Sequence, residues 1–128
     1  MKEKPIYLDY NATTPVSPAV AEAMLPYLYE HFGNPSSSHP YGVESRSTIE
    51  KARGQVAASI GARPEEVIFT SGGSESNNTV IQGVARELRA KGRHIITSAV
   101  EHPAVLEPCD TLEKEGYRIT RVPVGETG

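Results

Sequence analysis

Apolar residues recur at helical spacing in four stretches of this chain. Residues three or four positions apart lie on one face of an α-helix, so this spacing predicts amphipathic helices. Proline close to a helix start and glycine just after a helix end are the usual boundaries. The predicted helices cover residues 18–30, 43–60, 74–91 and 103–115.

Shorter apolar runs predict three strands, at residues 67–70, 94–98 and 117–124. The β-branched pairs Val67-Ile68 and Ile95-Ile96 suit strands that are covered on both faces. Strands that alternate with helices are typical of an α/β layer with parallel strands. Because three parallel strands leave open sheet edges, the pattern indicates part of a doubly wound α/β fold.

Individual residues predict where these helices begin and end. Ser17 is expected to be the N-cap of the first helix, and Pro26 to kink that helix or end its regular hydrogen bonding. Gly61 stands where a left-handed C-cap would follow the second helix. Gly92 and Gly116 are expected to end the third and fourth helices.

Composition and charge exclude several classes of protein. With 38% hydrophobic and 23% charged residues among 128, the chain is typical of a soluble globular protein. Its net charge of -3 and scattered basic residues argue against nucleic-acid binding. No apolar run approaches the roughly 20 residues that span a bilayer, and no long apolar stretch follows the first residues, so neither membrane insertion nor a secretory signal is expected. The single cysteine, Cys109, cannot form an internal disulfide, which favours the cytoplasm.

A glycine pair lies between a predicted strand and a predicted helix, in the segment FTSGGSESNN. Ligands of open α/β sheets bind beyond the carboxyl ends of the strands. Gly72 and Gly73 would let the backbone approach a ligand, and Ser74 adds a hydroxyl at the helix start. A phosphate there would meet free N–H groups and the positive end of the helix dipole.

The same segment lacks the lysine of a Walker loop and the G-x-G-x-x-G pattern of a dinucleotide site. A plain strand-to-helix turn, capped by Ser74 and binding nothing, is therefore an equal alternative. Glu75 would repel a phosphate if it pointed inward, so we expect it to face away and to interact with the helix dipole.

A histidine follows the next predicted strand. If that strand is the parallel neighbour of residues 67–70, His102 lies beyond the same sheet edge as Gly73. Its imidazole could stack on an aromatic cofactor or move protons. The alternative, which local chemistry favours, is that His102 only starts the helix whose first turn contains Pro103.

Four segments of the chain form a recognisable set: YLDYNATTP from Tyr7, FGNPSS from Phe32, FTSGGSESNN from Phe69, and Glu101-His102. Taken together, they resemble the cysteine desulfurase and selenocysteine lyase family, which are fold-type-I, class-V-aminotransferase-like enzymes dependent on pyridoxal 5'-phosphate. The resemblance covers essentially the whole chain. It implies that residues 1–16 are an extended segment on the small-domain and active-site side. Residues 17–128 would be the N-terminal, incomplete part of the cofactor-binding large domain.

The resemblance also implies roles for single residues. Gly73 and Ser74 match the family's phosphate-binding pair, where serine keeps the hydroxyl of the usual threonine. His102 matches the histidine that stacks on the pyridine ring and shuttles protons, which reverses the preference stated above. Asn11 lies in a segment that approaches the substrate amino acid. Asn34 belongs to a loop that lines the site and receives no role.

The family's covalent chemistry needs further residues. They are a Schiff-base lysine, an aspartate on the pyridine nitrogen and a mobile cysteine, and no position of this chain matches them. Cys109 falls on the apolar stripe of its helix with Val105 and Leu112 and is predicted to be a core residue. We therefore expect the N-terminal portion of such an enzyme, inactive alone. The lysines that do not match the Schiff-base motif are Lys2, Lys4, Lys51, Lys91 and Lys114.

The resemblance implies conversion of L-cysteine to alanine with sulfur transfer, as in iron–sulfur cluster assembly. L-selenocysteine is the alternative substrate. A sulfur-acceptor protein and a second copy of the chain are the implied partners; no metal, nucleic acid or membrane partner is predicted. A different class of function is a non-catalytic module that binds a phosphorylated ligand or pairs with another subunit.

Overall fold

The computed structural model of the protein describes residues 5–127. In this part of the chain, two compact units divide between Val67 and Ile68. A single-turn 3-10 helix, Pro64–Glu66, lies near the end of the first unit. The other elements are α1 (Pro18–Tyr29), α2 (Pro40–Ser59), α3 (Gly73–Glu87), β1 (His94–Ser98), α4 (Pro103–Lys114) and β2 (Arg118–Val122).

The sheet of the second unit consists of β1 and β2, which pair in parallel. The register runs from His94 opposite Arg118 to Ser98 opposite Val122. Helix α4 forms the crossover between the two strands. Parallel neighbours need such a long connection, which is usually a helix. The predicted α/β class with parallel strands is therefore confirmed.

The prediction of a buried strand at residues 67–70 is wrong. These residues have no regular structure, and Ile68 is 76% exposed. The amide of Val67 donates to the carbonyl oxygen of Pro64 at 3.1 Å, and its own carbonyl accepts from Nη1 of Arg53 at 2.5 Å. An apolar run becomes a strand only where another strand completes its hydrogen bonds, and none within residues 5–127 pairs with it.

The first unit contains α1 and α2. Helix α1 begins at Pro18 as predicted, but the Ser17 side chain makes no capping hydrogen bond. The helix is not ended by Pro26, since it continues to Tyr29. Pro26 lacks the N–H of one helical hydrogen bond and its ring crowds the carbonyl group four residues earlier. The residues after it still bond, since the Glu30 amide donates to the Pro26 carbonyl oxygen at 2.8 Å.

Helix α2 begins three residues earlier than predicted, at Pro40. His39 is its N-cap, and the Nδ1 atom of His39 accepts a hydrogen bond from the Gly42 amide at 3.4 Å. The predicted end is confirmed, because Gly61 has a φ of 67°, in the left-handed region that favours glycine.

The core of the second unit lies on one face of α4. Cys109 is 1% exposed and Leu112 is fully buried. Tyr117, just after the helix, is also buried. Gly116 has a φ of 91° and ends α4 as predicted. Helix α3 ends at Glu87 rather than at residue 91, followed by turns up to Gly92.

Helices α3 and α4 pack against each other, and their C-terminal ends are joined. The Tyr117 hydroxyl donates to the Ala85 carbonyl oxygen at 2.8 Å, and Arg86 forms an ion pair with Glu115 at 2.7 Å. Two packed helices whose C-terminal ends meet run in the same direction. The N-termini of α3 and α4 therefore lie at the same end of the pair.

Candidate functional site

The start of α3 is an open helix N-terminus. Gly72 is the N-cap residue in extended backbone, and no side chain among the described residues caps this helix. The first amide bonded within the helix is that of Ser76, which donates to the Gly72 carbonyl at 3.1 Å. The amides of Gly73, Ser74 and Glu75 precede it and have no partner within the helix. A Cβ atom added at Gly72 or Gly73 would have no neighbour within 4 Å, so the approach to these amides is open.

Two hydroxyl groups fix the carbonyl group that begins the helix. The Oγ1 atom of Thr70 and the Oγ atom of Ser76 are 2.7 Å apart, and each lies 3.2 Å from the carbonyl oxygen of Gly72. These contacts stabilise the turn through the carbonyl group of Gly72 and use none of the first-turn amides. The amides of the first helical turn stay available.

Glu75 is held by the residue before the glycine pair. Its Oε2 atom accepts from the Ser71 amide at 2.6 Å and from the Ser71 hydroxyl at 2.7 Å. These hydrogen bonds to Ser71 lower the pKa of the Glu75 carboxyl, because they stabilise the ionised form. The sequence predicted a Glu75 turned away from the anion position; the hydrogen bonds identify Ser71 as its partner.

His102 is the exposed N-cap of α4. Its Nδ1 atom accepts a hydrogen bond from the Ala104 amide at 3.0 Å. Because a backbone amide can only donate, Nδ1 carries no proton, and the proton of the neutral ring is on Nε2. His102 does start a helix, as predicted by the alternative in which it has no other role. The same hydrogen bond fixes the orientation of its exposed ring.

The two parts of the predicted site lie at the same end of the α3–α4 pair. The sequence predicts that His102 lies near Gly73 because their strands would be neighbours. This reason is wrong, since residues 67–70 form no strand. Gly73 and His102 lie at the same end because α3 and α4 run in the same direction. The hydrogen bonds at their opposite ends set this direction.

Asn11 and Asn34 belong to the first unit. Asn11 is exposed in a turn in which the Ala12 amide donates to the Asp9 carbonyl at 3.1 Å. The Oδ1 atom of Asn34 accepts from the Ser36 amide at 2.8 Å, so this side chain shapes its own loop. The role of Asn11 at the site remains a prediction, and no role is predicted for Asn34.

Cys109 is a core residue, as predicted. Burial raises the pKa of its thiol, which disfavours the thiolate that would act as a nucleophile. Lys51, Lys91 and Lys114 are exposed. Lys2 and Lys4 lie outside the described residues. Within residues 5–127 no group of three histidine, cysteine or acidic side chains could hold a metal ion, and no helix is both long and apolar enough to span a membrane.

Comparison with known proteins identifies the family. Residues 6–128 match the family described as Aminotransferase class-V. The chain belongs to the class-V aminotransferase family. This confirms the resemblance and the predicted fold class, that of the large domain of fold-type-I pyridoxal-phosphate enzymes.

Relatives within the class-V aminotransferase family are cysteine desulfurases. Cysteine desulfurase IscS of Dictyoglomus turgidum is 59% identical over 126 residues, which are 98% of this chain and 32% of that protein. Cysteine desulfurase of Homo sapiens is 52% identical over the same share of this chain and 28% of its own. The chain thus spans less than a third of the length of these curated relatives.

Solved structures of the family share the fold. A NifS-like protein superposes with a TM-score of 0.86 and 42% identity, covering 93% of this chain and 33% of that one. A structure described as SspA in complex with cysteine has a TM-score of 0.82 and 41% identity, covering 91% of this chain and 33% of that one.

Proposed function

We propose that this chain is the part of a pyridoxal-phosphate-dependent cysteine desulfurase that binds the cofactor's phosphate and covers its ring. The enzyme would convert L-cysteine to L-alanine and pass the sulfur to an acceptor protein. One observation carries the proposal. The uncapped start of α3 and the oriented ring of His102 lie at the same end of one helix pair.

The start of α3 suits a phosphate ester in charge, donors and shape. Its free first-turn amides can donate to phosphate oxygens, and the helix dipole adds roughly 0.3–1 kcal/mol at an exposed position. Ser74 contributes a hydroxyl next to these amides. Gly72 and Gly73 present no side chain, so the phosphate can approach the backbone closely.

His102 suits a flat aromatic ligand. The hydrogen bond from the Ala104 amide holds the imidazole before any ligand arrives, which lowers the entropy lost on stacking. That hydrogen bond also keeps the ring proton at Nε2, so Nε2 can donate a hydrogen bond. Taking up a proton at Nδ1 would break the cap of α4.

Bound pyridoxal phosphate supplies an electron sink for breaking bonds at the substrate's α-carbon. Gly73, Ser74 and His102 would bind the cofactor and orient it. Lys91 lies after the C-terminal end of α3, and Lys114 is the last residue of α4. Both are therefore away from the helix starts at Gly73 and His102. We therefore propose that the 128 residues alone bind the cofactor without turning over cysteine.

L-cysteine is the proposed substrate because the relatives above are named cysteine desulfurases, and one solved relative is described as a complex with cysteine. We also propose a homodimer for the complete enzyme. In the complete enzyme, Asn11 would approach the amino acid substrate.

Affinity for the phosphate group tests the proposal. Pyridoxamine 5'-phosphate and pyridoxamine differ only in this group, and neither carries the aldehyde that would react with exposed lysines. Calorimetry should show that the full chain prefers the phosphorylated compound. Ser74→Ala should lower that preference about tenfold or more, since a hydrogen bond to a charged group contributes about 1.5–3 kcal/mol, whereas Ser74→Thr should retain it. Equal affinity of the unmodified chain for both compounds would contradict the proposal.

A further inference from the structure

Two hydrogen bonds bridge the residues on either side of the proposed phosphate site. Both run from Ser71, through its amide and its hydroxyl, to the single Oε2 atom of Glu75, at 2.6 and 2.7 Å. The residues enclosed by this bridge are Gly72, Gly73 and Ser74. They include both positions to which we assign phosphate binding.

The enclosed segment needs such a bridge more than an ordinary helix start does. Glycine loses more conformational freedom on folding than any other residue, and here two glycines are adjacent. Neither has a neighbour within 4 Å of its Cβ position, so packing does not hold them. Hydrogen bonds from outside the pair must therefore hold the first turn.

We propose that Glu75 is a positioning residue for the phosphate site. By accepting both hydrogen bonds from Ser71, it holds the glycine pair in the conformation that leaves the amides of Gly73 and Ser74 free for an anion. The inference rests on the proposed function, because it assigns Glu75 a role toward the phosphate bound there.

The charge of Glu75 opposes this role, which makes the inference testable. A carboxylate in the first turn of α3 repels a phosphate bound to the same turn. Its ionisation is favoured, since the Ser71 hydrogen bonds lower the pKa of Glu75. The geometric contribution and the charge contribution thus have opposite signs, and different substitutions separate them.

Two substitutions of Glu75 provide the test in the full chain. Glu75→Gln removes the charge and keeps an oxygen that can accept from Ser71, whereas Glu75→Ala removes both. The ratio of affinities for pyridoxamine phosphate and pyridoxamine is measured for each. We expect Glu75→Ala to lower this ratio about tenfold, the equivalent of one phosphate hydrogen bond lost through misplaced amides. Glu75→Gln should match or exceed the unmodified chain.

Glu87→Ala is the matched control. Glu87 is an exposed residue at the other end of α3, and its substitution makes the same change in charge. It should leave the affinity ratio unchanged. If Glu75→Ala and Glu75→Gln both raise the ratio, Glu75 acts through its charge alone and the inference is overturned. An unchanged ratio in Glu75→Ala overturns it as well.

A second readout does not depend on the cofactor. In the ligand-free chain, the amide proton resonance of Ser71 should follow the ionisation of Glu75, whose pKa is lowered from its ordinary value by the hydrogen bonds to Ser71. Because this pKa is lowered, the bridge contributes fully above the ordinary value and is lost as the pH falls through the lowered one. The titration should be absent in Glu75→Gln, and its absence in the unmodified chain would overturn the inference.

The outcomes separate the two proposals. If the unmodified chain discriminates for phosphate and Glu75→Ala does so equally well, only the role of Glu75 fails. If the unmodified chain does not discriminate, the phosphate site itself fails, and the role of Glu75 fails with it.

Discussion

The N-termini of α3 and α4 lie at the same end of one helix pair but are built in opposite ways. Helix α4 begins with His102, whose side chain accepts from the Ala104 amide, and with Pro103, which has no amide proton to satisfy. Helix α3 begins with Gly72 and Gly73 and has no side-chain cap.

This difference assigns a separate task to each helix start. A capped N-terminus needs nothing from outside, and at α4 the cap also fixes an exposed imidazole. An uncapped N-terminus keeps its donors and its partial positive charge for an external anion. The proposed cofactor has both a phosphate and an aromatic ring, and each helix start suits one of them.

Converting the start of α3 into a capped one should have the largest effect. In Gly72→Asp, the new carboxylate would occupy the first-turn amides and repel a phosphate. Affinity for pyridoxamine phosphate should fall at least about 100-fold, since like charges about 4 Å apart repel by about 4 kcal/mol near a protein surface. Calorimetry measures this loss, and affinity for pyridoxamine should change little.

Gly72→Asn separates capping from charge. Asparagine caps as well as aspartate, so it should compete for the amides without repelling the phosphate. Its loss of affinity should be smaller than that of Gly72→Asp. Neither variant should be less stable than the unmodified chain, because both residues cap slightly better than glycine and the position is open. A Gly72→Asp chain that binds phosphate normally would refute the assignment of α3.

Removing the cap of α4 should have the next largest effect. His102→Ala should lower the free energy of unfolding by about 1 kcal/mol, the usual contribution of an N-cap. His102→Asn should restore most of that stability but not the ring. Both variants should bind pyridoxamine phosphate more weakly, by up to about tenfold, because aromatic pairs contribute about 0.5–1.5 kcal/mol beyond their buried area. Urea unfolding and calorimetry measure the two effects, and normal binding by His102→Asn would exclude stacking.

The contact at the opposite end of the helices comes last, because its loss should affect stability alone. Tyr117→Phe removes the hydrogen bond to the Ala85 carbonyl but keeps the buried ring. We expect a loss of about 0.5–1.5 kcal/mol in unfolding free energy, measured in urea. Tyr29→Phe, an exposed tyrosine of α1, is the control and should cause no loss. Equal stability of both variants would show that this hydrogen bond does not join α3 to α4.

The helix boundaries were predictable where one residue type determines the local backbone. Pro18 and Pro103 begin helices, and Gly61 and Gly116 follow helix ends with positive φ. The start of α2 has the same His-Pro signal as α4, at His39-Pro40. The apolar spacing, which begins at Val43, predicts that start three residues too late.

Features that depend on pairing partners or on side-chain geometry were less predictable. The apolar run at residues 67–70 has the composition of a strand, but a strand also needs a partner. The glycine pair and His102 were found as candidates from sequence. The cap on the His102 ring and the bridge from Ser71 to Glu75 depend on side-chain geometry, which composition does not determine.

The proposed site requires that one ligand contacts the starts of α3 and α4 together. A nuclear magnetic resonance titration of the chain with pyridoxamine 5'-phosphate tests it most directly. We expect the amides of Gly73 and Ser74 and the ring protons of His102 to shift together, with one common dissociation constant. Shifts at only one of the two helix starts, or with different dissociation constants, would contradict it.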